Sequence, residues 1–227
     1  QPLLTDSVDA GWQLSLQDQA GLPRSFWDAR GSQRHTDYDD QQRPIAVREH
    51  SAGEQPRVVG RLTYGDSDPA FAAHNQCGKL IRHDDPAGTQ FVAGYGLAGT
   101  VLAENRCFLV DLETPDWPSE LEARDALLED QSFVTCHAFN PAGGLRRQTD
   151  AMGNDRTFRY DLAGSLSEAW LLQAGDGKTR QRLVSDIRYN AYGQSESEIA
   201  GNGVVTRADY SADDGRLIRL MAQVGDQ

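Results

Sequence analysis

The chain has 227 residues, 34 acidic and 22 basic, for a net charge of −12. That surplus argues against nucleic-acid binding, which calls for clustered Lys and Arg. Hydrophobic residues make up 38% and the mean hydropathy is −0.60, so much of any sheet must face water, and a hollow or one-sided sheet fits better than a thick sandwich core.

Taken in order, residues 1–20 read as one or two edge strands, with Leu14 and Leu16 alternating with Ser15 and Gln17. Period-two alternation of this kind is the mark of a half-buried strand. Ser25 to Gly31 is a strand running into a turn, and Arg34 to Tyr38 is the next strand. Arg43 to Val47 carries Pro44 at a strand start, where a missing N–H is tolerated. Arg57 to Tyr64 is a strand, Gly65 to Pro69 a turn, and Ala70 to His74 a single helical turn. Asp84-Asp-Pro-Ala-Gly88 reads as an ordinary turn, followed by a strand from Thr89 to Val92 and a turn from Tyr95 to Gly99.

Residues 106–137 break the rhythm. Arg106 to Val110 suits a strand, Thr114 to Pro118 stops regular structure, and Ser119-Glu-Leu-Glu122 reads as a capping box opening a short helix near 119–130. From Phe133 the pattern is cleaner to the end, with Gly175-Asp-Gly177 as a hairpin loop. The expected organisation is therefore 1–105 and 138–227 as repeat segments of one continuous all-β body, with 106–137 as an insertion.

The glycines carry the rhythm. Gly143, Gly153 and Gly164 are spaced by 10 and 11, Gly78, Gly88 and Gly99 likewise, and Gly193, Gly203 and Gly215 by 10 and 12. A degenerate set begins at Gly21 and Gly31, and its third turn falls at residue 42 without a glycine. Asp28, Asp39, Asp150 and Asp161 open such turns, where a carboxylate accepts hydrogen bonds from its own backbone. Aromatics precede many of them, among them Trp27, Tyr38, Tyr95, Phe139, Tyr160, Tyr189 and Tyr210. A period near ten residues is too short for helix-pair repeats and suits a strand plus a turn. Arg146, Arg147, Arg156 and Arg159 are interleaved with Asp, as on solvated strand faces with cross-strand ion pairs.

Tyr160-Asp161-Leu-Ala-Gly164-Ser-Leu166 resembles the core of the YD, or Rhs, repeats, and Tyr189 to Gly193, Tyr210 to Leu217, Trp27 to Gly31 and Phe139 to Gly143 resemble its variants. Thr149 to Asn154, Ala200 to Gly203 and Asn75 to Gly88 further resemble the N-terminal part of the C component of bacterial insecticidal toxin complexes. The resemblance implies an antiparallel β ribbon spiralling into part of a hollow shell. It also implies a B-component partner and an enclosed C-terminal effector domain. The shell would be secreted within a toxin complex, after residence in the bacterial cytoplasm. The alternatives are an Rhs-type container of interbacterial competition and a carbohydrate-binding or adhesive module using Trp12, Trp27, Trp117 and Trp170.

No catalytic, cofactor or metal site is expected. The turn carboxylates have a local backbone role, and His35, His50, His74, His83 and His137 show no metal or triad spacing. The Asp-Pro-x-Gly match at Asp85 to Gly88 lacks the following Leu of the family's self-cleaving core and is read as a turn. The residues singled out are structural: Asp28, Gly31, Gly78, Gly88, Gly99, Gly143, Asp150, Gly153, Tyr160, Asp161, Gly164, Tyr189, Gly193, Gly203, Tyr210 and Gly215. Cys77, Cys107 and Cys136 suggest reduced thiols, with room for one pair. No apolar run is long enough for a membrane helix, no signal peptide is visible, and the missing initiator Met reads as a piece excised from a longer protein.

Overall fold

The computed structural model describes residues 3–175 and 179–224. It divides into two compact units, 1–133 and 134–227. The first contains β1 (Leu4–Ser7), β2 (Gly11–Gln17), β3 (Pro23–Asp28), β4 (Gln33–Tyr38), β5 (Pro44–His50), β6 (Arg57–Tyr64), the one-turn helix α1 (Pro69–Ala72), β7 (Leu80–Asp85), β8 (Gly88–Tyr95), β9 (Val101–Leu109) and the short helix α2 (Leu121–Asp125). β10 (Leu128–Phe139) carries the chain into the second unit, which continues with β11 (Leu145–Thr149), β12 (Asp155–Tyr160), β13 (Leu166–Leu172), β14 (Arg180–Tyr189), β15 (Ser195–Ala200), β16 (Val204–Tyr210) and β17 (Leu217–Val224). In each unit every strand pairs antiparallel with the next in sequence, from β1 to β9 and from β10 to β17. The expected all-β ribbon is the observed architecture.

Buried apolar side chains concentrate in the first unit: Ala46, Val59, Val92, Tyr95, Leu109 and Trp117, against Ala169 in the second. A two-faced ribbon cannot cover both its faces, so its order must come from elsewhere. Tyrosine supplies part of it. The Tyr160 hydroxyl donates to the Leu145 carbonyl at 2.9 Å, Tyr189 to Leu166 at 2.9 Å and Tyr210 to Ser195 at 3.0 Å. In the first unit Tyr38 donates to Pro23 at 2.8 Å, Tyr64 to Pro44 at 3.0 Å and Tyr95 to Leu80 at 2.7 Å.

Each tie joins the last residue of a hairpin to its first and so closes the hairpin's open end. A register shift falls beside every one of these tyrosines, and a bulge re-aims a side chain in this way. Phe139 occupies the same position with no hydroxyl to tie. The ten-residue rhythm is thus half of the chemical unit, which is a hairpin with one tie.

Three local expectations are corrected. Arg106 to Leu109 belong to β9 and residues 128–139 form β10, so the segment outside the strands is 110–127. Its backbone leaves the ladder where Val110 N–H donates to the Leu127 carbonyl. The capping box does not form: α2 begins at Leu121, Glu120 holds the N-cap position with no side-chain cap bond, and Ser119 Oγ lies 3.4 Å from Glu120 Oε1 instead. Gly88 ends its turn already in the ladder, paired with Asp85, and its backbone differs from that of the other turn glycines. It opens β8 at φ +138°, and an added Cβ would lie 2.2 Å from the Cys107 carbonyl oxygen, so close strand approach requires it. Asp176 and Gly177 of the expected Gly175-Asp-Gly177 loop lie outside the described residues.

Two substitutions test this account. Tyr160→Phe removes one tie and keeps the ring, so urea denaturation should show a loss of about 0.5–1.5 kcal/mol. Gly88→Ala places a methyl against backbone with nowhere to move and should cost more than Tyr160→Phe in the same assay. Equal or smaller loss for Gly88→Ala would refute the close-approach reading.

Candidate functional site

Six turns, at Asp18, Asp28, Asp39, Asp150, Asp161 and Asn190, share one chemistry. Asp161 accepts at Oδ1 from the N–H groups of Ala163 and Ser165, both at 2.9 Å, while Gly164 N–H donates to the Asp161 carbonyl. Asp150 does the same with Met152 and Asn154, Asp28 with Arg30 and Ser32, Asp39 with Gln41 and Arg43 and Asn190 with Tyr192 and Gln194. Gly31, Gly78, Gly99, Gly143, Gly153, Gly164, Gly193, Gly203 and Gly215 all take positive φ, from 69° to 86°. At the turn without a glycine, Gln42 takes φ 61°, and Asp39, doubly bonded by Arg43, stabilises it.

These bonds favour the charged carboxylate. The backbone N–H of Leu22 holds Asp18 below the usual carboxylate range, that of Arg43 does so for Asp39, and the Asn154 side chain and backbone do so for Asp150. A carboxylate depressed on folding contributes stability that is complete above its unfolded value, about 3.9, and is lost as pH falls through the folded value.

A second arrangement was not foreseen. Asp84, expected in a turn, lies in β7 fully buried. Its Oδ1 accepts from Arg82 Nε at 2.7 Å and Thr89 Oγ1 at 2.6 Å, and its Oδ2 accepts from Arg124 Nη1 at 2.6 Å. Arg82 also reaches Asp125 at 2.5 Å. Arg124 and Asp125 belong to α2, so this node fastens segment 110–127 to the sheet. Nearby, Trp117 is 1% exposed. Its indole N–H donates to the Asp85 carbonyl at 3.1 Å and its own carbonyl accepts from Arg61 Nε at 2.8 Å. Burial first, then the neighbouring Arg124 and Arg48 charges, push Arg61 down. Burial raises Asp85, but the Arg106 fork and the Ala87 N–H outweigh it and leave it lowered. Asp85, not Asp84, caps the turn, accepting from Ala87 N–H at 2.8 Å.

The fold also assembles a set that spacing hid. Ser25 Oγ lies 2.9 Å from His35 Nδ1, and His35 Nε2 lies 3.3 Å from Asp37 Oδ1. Arg48 binds the same Asp37 at 2.7 Å. Ser25 stands on β3, and His35 and Asp37 stand on the neighbouring β4. The geometry of the set is that of a cross-strand polar ladder. Among the described residues no three His, Cys, Asp or Glu stand together as metal ligands, all three cysteines are free, and no helix is long and apolar enough to cross a membrane.

Asp84→Ala leaves two buried guanidiniums without their shared anion. Chemical denaturation should show a loss of about 3–5 kcal/mol; a loss under about 1 kcal/mol would show that the node carries no weight. Between pH 5 and pH 3 the melting temperature should fall, and Asp150→Asn should fall less steeply over that range than the parent chain.

No protein-family model matches the chain. Toxin subunit YenC1 of Yersinia entomophaga is 34% identical over 227 residues, covering 97% of this chain and 23% of that protein. Toxin subunit YenC2 of the same organism is 30% identical over 241 residues, covering 97% and 25%. This chain therefore spans about a quarter of the length of the curated relatives it matches. Among solved structures, the TcdB2-TccC3 crystal structure matches with a TM-score of 0.85 at 32% identity, over 98% of this chain and 11% of that one. The Tc holotoxin pore of Photorhabdus luminescens matches with 0.86 at 32%, over 99% and 10%. Similarity in both sequence and fold runs the length of the chain, and it is a YD-repeat segment of the kind found in the C subunits of Tc toxins.

Proposed function

We propose that this chain is a non-catalytic wall segment of a toxin-complex shell, enclosing an effector domain carried at the C-terminus of the longer protein. The carrying observation is that its repeated Asp and Asn side chains are used on their own turns, in a ribbon related throughout to Tc toxin subunits. A wall of this kind needs edges and turns that hold without a deep core, and the ties and Asx caps provide that. Repeat units that cannot bury a face alone gain stability from their neighbours along the ribbon. The partners on this reading are the B component, as TcdB2 accompanies TccC3 in the similar structures, and the enclosed effector. The complex is secreted, and the subunit is held in the bacterial cytoplasm before release.

The Rhs-type container would use the same wall, and the relatives named as toxin subunits favour the Tc reading. A sugar-binding surface would need open aromatic platforms. Trp117 is sealed, Arg180 and Arg182 lie over Trp170 at 4.8 and 4.4 Å, and Trp12, at 44% exposure, is the most open of the four.

The test uses the full-length subunit assembled with its B partner. The effector should resist protease in the intact complex and become digestible when Gly164→Val opens the wall, while the separately purified effector keeps its activity. An effector digested equally from both assemblies would contradict the proposal, as would one equally protected in a Gly164→Val assembly whose wall has lost its β structure.

A further inference from the structure

β6 runs past its neighbour. β7 pairs with Arg61 to Tyr64 only, so residues 57–60 extend beyond β7 on that side, while β5 covers them on the other. Val58 shows what fills the gap. Its N–H donates to Asp116 Oδ1 at 2.8 Å, and its carbonyl accepts from Trp117 N–H at 2.8 Å. A strand residue that bonds through N–H and C=O directs both to one side, so both Val58 groups serve segment 110–127 and neither serves β5. Two residues of that segment thus stand in for a missing strand. The Trp117 indole at the contact and the Asp84–Arg124 pair beyond it fasten the segment to the sheet.

The covered stretch, Arg57-Val-Val-Gly60, is β-branched at its centre with a single charge. An open edge of that composition is a template for pairing with another chain. The antiparallel arrangement of this stretch with itself is symmetric, so one patch serves both partners. We propose that segment 110–127 is an edge guard, occupying a strand-acceptor site at residues 57–60 that otherwise pairs with the same stretch of a second copy. The buried ionic node then has a purpose beyond stability, since well-packed apolar side chains generally do that as well or better: it holds the guard in one register over the edge.

The test removes the guard's grip and leaves the sheet intact. Asp116→Ala with Trp117→Ala spares Asp84, Arg82 and Thr89. In this variant, kept dilute enough to stay at one copy, the Val58 amide should exchange faster by about 100-fold or more, with β12 and β13 unchanged. Light scattering should show the mass doubling with concentration, where the parent chain stays at one copy. Adding Val58→Pro, which deletes an N–H that β5 does not use, should return the mass to one copy. If the double variant loses its β circular dichroism, Asp116→Asn is read by the same exchange and mass measurements, with smaller shifts in the same direction. A Val58 amide that stays protected in the dilute, one-copy double variant overturns the proposal. So does a dimer that survives Val58→Pro.

Discussion

A carboxylate that accepts two N–H groups from its own turn is the constraint on which this structure rests. Asp161 shows it in full: Oδ1 gathers the amides two and four residues on, and Gly164 takes the left-handed backbone that brings them there. Each such bond is modest, about 1 kcal/mol net. Their repetition is what matters, because a ribbon that is wet on much of both faces has little apolar burial to order it. With the turn fixed, the strands leave it in register, and the tyrosine before the turn is placed to close the preceding hairpin.

The two units use this device with different supplements. In the first, cations cover the tyrosine rings: Arg24 over Tyr38, Arg43 over Tyr64 and Lys79 over Tyr95. In the second, Gly144 lies under Tyr160 so closely that a Cβ would meet the ring at 3.2 Å. Cross-strand ion pairs such as Arg147 with Asp155 and Arg159 with Glu168 decorate the wet faces and contribute little individually. The deep burial of Asp84 is of another kind. It belongs to segment 110–127, where the chain leaves the meander and is fastened back upon it.

What the sequence disclosed follows from range. Turn chemistry acts over four residues, so Asp28, Asp150, Asp161 and their glycines were legible, and so was the turn at Gln42 that has none. The role of the tyrosines was half visible. Their position before the turns could be read, but their hydrogen bonds reach back fifteen or more residues to a carbonyl that carries no sequence mark. The Asp84 node was hidden because its partners Arg82 and Arg124 stand two and 40 residues away, and the Asp-Asp-Pro-Ala-Gly string is indistinguishable locally from a turn. The Ser119 capping box failed for a related reason: Arg124 is committed to Asp84, and tertiary charge pairing sets where α2 sits in place of the local cap.

The most direct measurement of the central claim is residue-resolved amide hydrogen exchange on the native chain. The amides of Ala163, Ser165, Met152, Asn154, Tyr192 and Gln194, which donate to turn side chains, should exchange as slowly as amides in the middle of β12 and β13. Exchange at these turn amides as fast as in an unfolded peptide, with the strands still protected, would show that the sheet orders itself without its turns and would contradict the account.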